Sequence, residues 1–188
     1  MKILVCVSGA SLISCGLRLI KELLKLNNEN FVIFSKNAKI VLKSENNKQN
    51  LELYEKIKTN KNLIFFDDDD LSASPSSGSF AIEKTIIAPC SINSLAKINA
   101  GICDTLILRS AAVALKEKKD LILGIREMPF STINCEQMAN LSRLGVLIAP
   151  PIISDYTNPK NLDEIYNFIV GKWLDCLNLK HNLYKKWS

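Results

Sequence analysis

Five short apolar runs, at residues 3–7, 31–34, 85–88, 121–125 and 146–148, set the limits on what this chain can become. They are rich in β-branched and aromatic residues and show little apolar–polar alternation. Such runs read as strands buried on both faces. Between them the pattern changes period. Leu17, Leu19, Ile20, Leu23 and Leu24 recur at helical spacing with Lys21 and Glu22 outside, and residues 37–44 after Ser35 form a second helical segment. Buried strands alternating with helices specify a doubly wound α/β domain built on a parallel sheet.

Length and composition narrow the function classes. The 188 residues suit a single domain, 1–188, large enough to bury a core without disulfides. The net charge is +5, but the lysines are scattered among acids, which favours small anionic ligands over nucleic acid. No stretch of about 18 apolar residues is present, so no membrane span is expected, and the opening MKILVCVSGA reads as a first strand rather than a leader. Six cysteines without a C-x-x-C pair, beside the single His181, fit reduced thiols in a cytoplasm and supply no metal site.

Two helix starts are marked. Asn134-x-x-Gln137 opens a helix that Gly145 closes, and Asn161-x-x-Glu164 opens the last one after Pro159. The polar segment 67–79 is too long for a simple connector and is either functional or disordered. Its four aspartates read as a solvated surface run, and His181 as an exposed tail residue.

Ligands of open parallel sheets bind beyond the carboxyl ends of the strands, and four polar segments fall at such ends. Ser8-Gly9-Ala10-Ser11 leads into the first helix, where backbone N–H groups attract phosphate. It is not G-x-G-x-x-G, so a dinucleotide is not indicated. Ser35-Lys36 reads as a helix cap with a solvated lysine. Cys90 to Ser94 cluster hydroxyl and amide groups at another helix start. Cys90 itself reads as an inert buried thiol, since no histidine accompanies it. Arg126 and Glu127 directly follow a buried strand. They are either a structural ion pair, or a guanidinium for phosphate beside a carboxyl that handles protons. Lys172 lies in the apolar stripe of Ile165, Phe168, Ile169 and Cys176, where it either snorkels to water or meets a buried phosphate.

Taken together, these segments resemble the flavin prenyltransferase family of the UbiX/Pad type. The resemblance rests on Ser8-Gly9-Ala10-Ser11, Phe34-Ser35-Lys36, residues 76–80, 87–91, 109–117 and 126–130, and Tyr156-x-x-Pro159, in the family's order and with similar spacings. It implies a Rossmann-like three-layer α/β/α domain with a mostly parallel sheet, in a homo-oligomer, commonly a dodecamer, with active sites at subunit interfaces. It further implies transfer of a dimethylallyl group from dimethylallyl phosphate to N5 and C6 of reduced FMN, without a metal. The product would be prenylated FMN, the cofactor of a UbiD-type decarboxylase.

The same resemblance assigns residues. Gly9, Ala10, Ser11, Ser35, Ser91, Ile92, Asn93, Ser94 and Arg126 match the family's FMN-binding points. Glu45, Lys116, Tyr156 and Lys172 match its prenyl-phosphate site, and Glu127 and Ser11 its proton-transfer positions. Two positions depart from the family pattern: Leu12 stands where a glycine is usual, and Lys172 where an arginine is usual. The rivals are an FMN-dependent cysteine-decarboxylase-like flavoprotein and a non-catalytic FMN-binding protein. The first generally carries an early histidine and a Pro-Ala-Ser-Ala-Asn motif, whereas this chain has only His181 and Pro89-Cys90-Ser91. The second needs no Glu45, Lys116, Tyr156 or Lys172.

Overall fold

The computed structural model describes residues 1–45 and 47–186. Six strands form one sheet: β1 (Lys2–Val7), β2 (Glu29–Phe34), β3 (Leu63–Asp67), β4 (Lys84–Cys90), β5 (Asp120–Ile125) and β6 (Leu147–Ile148). Their order is β3-β2-β1-β4-β5-β6 and every pairing is parallel, so the sheet is wholly rather than mostly parallel.

The strands are apolar on both faces because helices cover both. Along β1, Ile3, Val5 and Val7 enter one core with α1 (Ile13–Leu23), α2 (Lys36–Ser44), α3 (Lys48–Lys58) and α7 (Leu162–Cys176). Leu4 and Cys6 enter the other core, with α4 (Ile92–Asn99), α5 (Leu106–Lys116) and α6 (Thr132–Arg143). Successive side chains on a strand point to opposite faces, and this two-residue period divides the core into two layers. The result is the three-layer α/β/α architecture.

Several local expectations change. The edge strand β3 was not anticipated, because Asn60, Lys61 and Asn62 precede it and its apolar run ends in four consecutive aspartates, Asp67 to Asp70. The 67–79 segment is compact: it folds into 3-10 turns at Ser74–Ser76 and Gly78–Phe80. Arg109 Nε donates to Ser76 O at 3.0 Å, tying the segment to α5. Of the four aspartates, Asp68 is buried rather than solvated. Helix α6 starts at Ser131, not Asn134. The Ser131 hydroxyl accepts from Asn134 N–H while the Asn134 side chain accepts from Ser131 N–H, so Asn134 is the inner half of a capping box. The cap at Asn161 is as expected, with Glu164 N–H donating to its side chain. His181 is packed inside, its side chain only 5% exposed. Among the described residues no helix is long and apolar enough to cross a membrane, and no group of three or more His, Cys, Asp or Glu side chains is placed to hold a metal ion.

Candidate active site

The strand order reverses between β1 and β4, so the loops leaving their carboxyl ends diverge and open a cleft. Ser8 stitches this point together. Its hydroxyl donates to Pro89 O at 3.1 Å and accepts from Ser91 N–H at 2.7 Å, joining the ends of the two strands. Beside it the chain turns at Gly9. A Cβ there would stand 2.4 Å from the Asn37 Cβ, so only glycine lets the turn lie against the start of α2.

Three helix N-termini meet this cleft of about 260 Å³, which Ser8, Gly9, Ser35, Asn37, Ser91 and Ser94 help line. Ser35 caps α2 by accepting from Ala38 N–H, and Ser91 caps α4 by accepting from Ser94 N–H. Thr105 caps α5, whose first N–H groups are also held by Asp68: Leu106 N–H donates to its carbonyl at 2.7 Å and Ile107 N–H to Oδ1 at 2.9 Å. Burial pushes the Asp68 carboxyl above its ordinary range, against the pull of the Ile107 hydrogen bond. Converging N-termini and hydroxyls make a surface for a phosphate and a polar ring system. The cleft also contains Asn37, Lys97 and Thr105, which were not singled out in the sequence, and Asp68 and Asp69, which read there as part of a solvated surface run. Asn37 and Thr105 sit at helix starts, a signal that was present but shared with ordinary caps.

The expected residues separate into groups. Ser11 and Glu45 come together: the Ser11 hydroxyl donates to Glu45 Oε1 at 2.8 Å, and Leu12 N–H donates to the same oxygen at 3.1 Å. Leu12, in the glycine position of the family pattern, has φ +80°, a left-handed conformation that favours glycine. Its side chain packs against the core and its N–H is held by Glu45, which together fix it there. Ala10 is buried beside the turn, and Ile92 packs into the core rather than onto the cleft.

Arg126 and Glu127 emerge at the carboxyl end of β5, both exposed. Glu127 Oε1 accepts from Met128 N–H at 3.0 Å, and among the described residues no ion pair joins it to Arg126. Cys90 is fully buried, its thiol pushed up to about 12 by burial, as an inert thiol should be.

Lys116 lies elsewhere. It ends α5 just before β5 begins, at the amino edge of the sheet, where it pairs with Glu117. Ten residues of helix, about 15 Å of rise, separate it from the α5 N-terminus at the cleft, further than a lysine side chain extends. Lys172 belongs to a second cleft of about 500 Å³ walled by residues 150–154, Phe168 and Trp173, and Tyr156 is not part of its lining. Lys172 lines it with an exposed side chain, and the Tyr156 ring stands edge-on to Phe168 at 5.7 Å. The two clefts share no lining residue.

The sequence model of the flavoprotein family matches residues 1–174. Over 189 aligned residues the chain is 57% identical to flavin prenyltransferase UbiX of Campylobacter jejuni, covering 100% of this chain and 99% of that protein. The crystal structure of AnUbiX in complex with FMN and dimethylallyl pyrophosphate superposes with a TM-score of 0.92 at 32% identity, covering 100% of this chain and 97% of the other. The dodecameric FMN-dependent UbiX-like decarboxylase from Escherichia coli O157:H7 gives 0.93 at 35% identity, with both chains covered fully.

Proposed function

The chain belongs to the flavin prenyltransferase (UbiX) family of flavoproteins, and from that premise we propose how its residues divide the work of joining a dimethylallyl group to N5 and C6 of reduced FMN. The cleft at the β1–β4 switch fits the flavin. Gly9, Ala10, Ser35, Ser91, Asn93 and Ser94 would hold it, with Ile92 supporting the turn and Arg126 at the rim. Bound reduced flavin supplies the nucleophilic N5 and C6.

The observation that carries the reading is the Ser11–Glu45 hydrogen bond. It brings a residue assigned to prenyl-phosphate binding onto the turn assigned to the flavin, and an FMN carrier has no use for it. Lys116, Lys172 and the Tyr156 hydroxyl would stabilise the phosphate as the carbon–oxygen bond breaks and the leaving group takes the electron pair. Glu127 would accept the proton lost from N5 and return one to the dimethylallyl double bond at ring closure, where C6 bonds to the resulting tertiary carbon and releases its own proton, with Ser11 assisting proton transfer. Because Lys116 stands at the opposite sheet edge, each complete site takes it from a neighbouring subunit. The dodecameric state of the Escherichia coli relative supports such an assembly. The product would pass to a UbiD-type decarboxylase in the cytoplasm.

Anaerobic incubation with reduced FMN and dimethylallyl monophosphate, then mass analysis of the flavin, tests the proposal. A gain of one five-carbon unit is expected. FMN recovered unchanged overturns it in favour of a carrier, and FMN-dependent loss of a cysteine carboxyl overturns it in favour of the decarboxylase rival.

A further inference from the structure

The C-terminal segment does more than end the chain. It folds back on α7 at Gly171, where a Cβ would stand 2.5 Å from Tyr184 Cδ1 and 2.9 Å from His181 Cε1. The Tyr184 ring meets Phe168 edge-on at 5.0 Å, and Phe168 in turn meets Tyr156. The segment therefore backs the wall of the cleft that contains Lys172.

Its polar contacts converge on Asp175. Tyr184 donates its hydroxyl hydrogen to Oδ2, and Lys186 Nζ donates to Oδ1 at 3.3 Å. Leu183 N–H donates to His181 Nδ1 at 3.2 Å, so the ring hydrogen sits on Nε2 and is donated to Asp175 Oδ1 at 3.1 Å. Burial pushes the Asp175 carboxyl up, but these hydrogen bonds outweigh it and hold it below its ordinary range.

One turn earlier stands Lys172, whose ammonium is 3.9 Å from Oδ2, the oxygen already engaged by Tyr184. Lys25 and Glu22, also three residues apart on a helix, close to 2.7 Å, and Lys84–Asp120 and Lys97–Asp104 to 2.6 Å, while Lys39–Asp67 stays open at 3.7 Å. Against the closed pairs, the Lys172–Asp175 pair is loose.

We infer that Tyr184 is a positioning residue for prenyl-phosphate binding, which engages the Asp175 carboxylate and so keeps the Lys172 ammonium free to meet a phosphate. The inference rests on the reading of Lys172 as a phosphate-binding cation. Without the Tyr184 hydroxyl, Oδ2 has a vacant acceptor position that the ammonium fills, and the cation is neutralised before phosphate arrives.

Steady-state prenyl transfer by the full-length protein, with dimethylallyl monophosphate as the varied substrate and reduced FMN saturating, provides the test. Tyr184→Phe should raise KM for the monophosphate about tenfold, the scale of one charge-assisted hydrogen bond. FMN affinity, kcat and melting temperature should stay near wild type. Adding Asp175→Asn to that variant removes the competing charge and should bring KM back towards wild type. A purely structural role makes the opposite forecast, with the double variant worse than the single. Wild-type KM in Tyr184→Phe, no recovery in the double variant, or a parallel loss of FMN affinity overturns the inference. Lys172→Ala separates the premise: unchanged KM there removes the phosphate-binding reading itself, whereas raised KM there with unchanged KM in Tyr184→Phe removes only the role of Tyr184.

Discussion

The cleft at the β1–β4 switch and the cations proposed to meet the prenyl phosphate are built in opposite ways. At the cleft, Ser8 ties β1 to β4, Gly9 lies against Asn37, and three capped helix starts face one space, all from elements packed within one chain. Lys116 and Lys172 stand with exposed side chains at separate places on the surface, one at the amino edge of the sheet and one on α7. A helix N-terminus offers partial charge that folding itself orients, so an anion site of that kind is complete once the chain has folded. The difference teaches that the cleft at the β1–β4 switch is complete within one chain, whereas the cations proposed to meet the prenyl phosphate are not gathered by that chain's own fold.

The largest expected effect tests whether chemistry can be separated from both regions. Glu127 lines neither cleft and is exposed, held only by the N–H of Met128. Glu127→Gln keeps the shape and the hydrogen bond but cannot take a proton. Single-turnover rates at saturating ligands should fall about 10²–10⁴-fold, the usual weight of a general base, with both ligands still bound. A variant at wild-type rate would remove Glu127 from the mechanism and leave the reaction resting on the two binding regions alone.

The next effect addresses the division between them. Lys116→Ala should weaken dimethylallyl phosphate binding about 10- to 100-fold, as expected for losing a hydrogen bond to a charged group. FMN affinity should hold, because the flavin contacts are assigned to the loops after β1, β2, β4 and β5 and not to Lys116. Titration of each ligand separately reads both numbers. Equal losses would show that the two regions are one site within a single chain, contrary to the comparison.

How much of this was legible beforehand follows the same line. Residues whose role depends on local sequence were readable: the strands β1, β2, β4 and β5, the Asn161 cap, and the serines at helix starts. Residues whose role depends on distant packing were not. Asp68 looks like its three neighbours in sequence and is distinguished only by α5 descending onto it. His181 sits among polar residues, and its burial comes from a glycine one turn of helix and a reversed tail away. The edge strand β3 escaped because its short apolar run merges at once into the aspartates of the polar segment. Glu45 was placed by family resemblance alone. Nothing local marks it, because its partner Ser11 lies 34 residues earlier in another loop.

The smallest expected effect bears on the cost of prebuilding a cleft. Asp68 is buried to hold the start of α5, and its folded carboxyl lies above the ordinary value of 3.8, chiefly through burial. For an acid raised on folding, the ionised form is disfavoured in the native state. The penalty is therefore complete above the folded value and disappears as pH falls towards 3.8, where the unfolded chain also becomes protonated. Asp68→Asn keeps an oxygen for the Ile107 N–H without the charge. Its melting temperature should equal or slightly exceed that of wild type at neutral pH, with the gap closing towards pH 4. Asp68→Ala removes the acceptor as well and should lose about 1 kcal/mol, the usual cost of a lost helix cap. Melting curves of the three proteins across this range decide the matter. An Asn variant less stable than wild type at neutral pH would mean that the negative charge on the α5 N-terminus outweighs its burial, making Asp68 an electrostatic asset of the cleft rather than a burden on it.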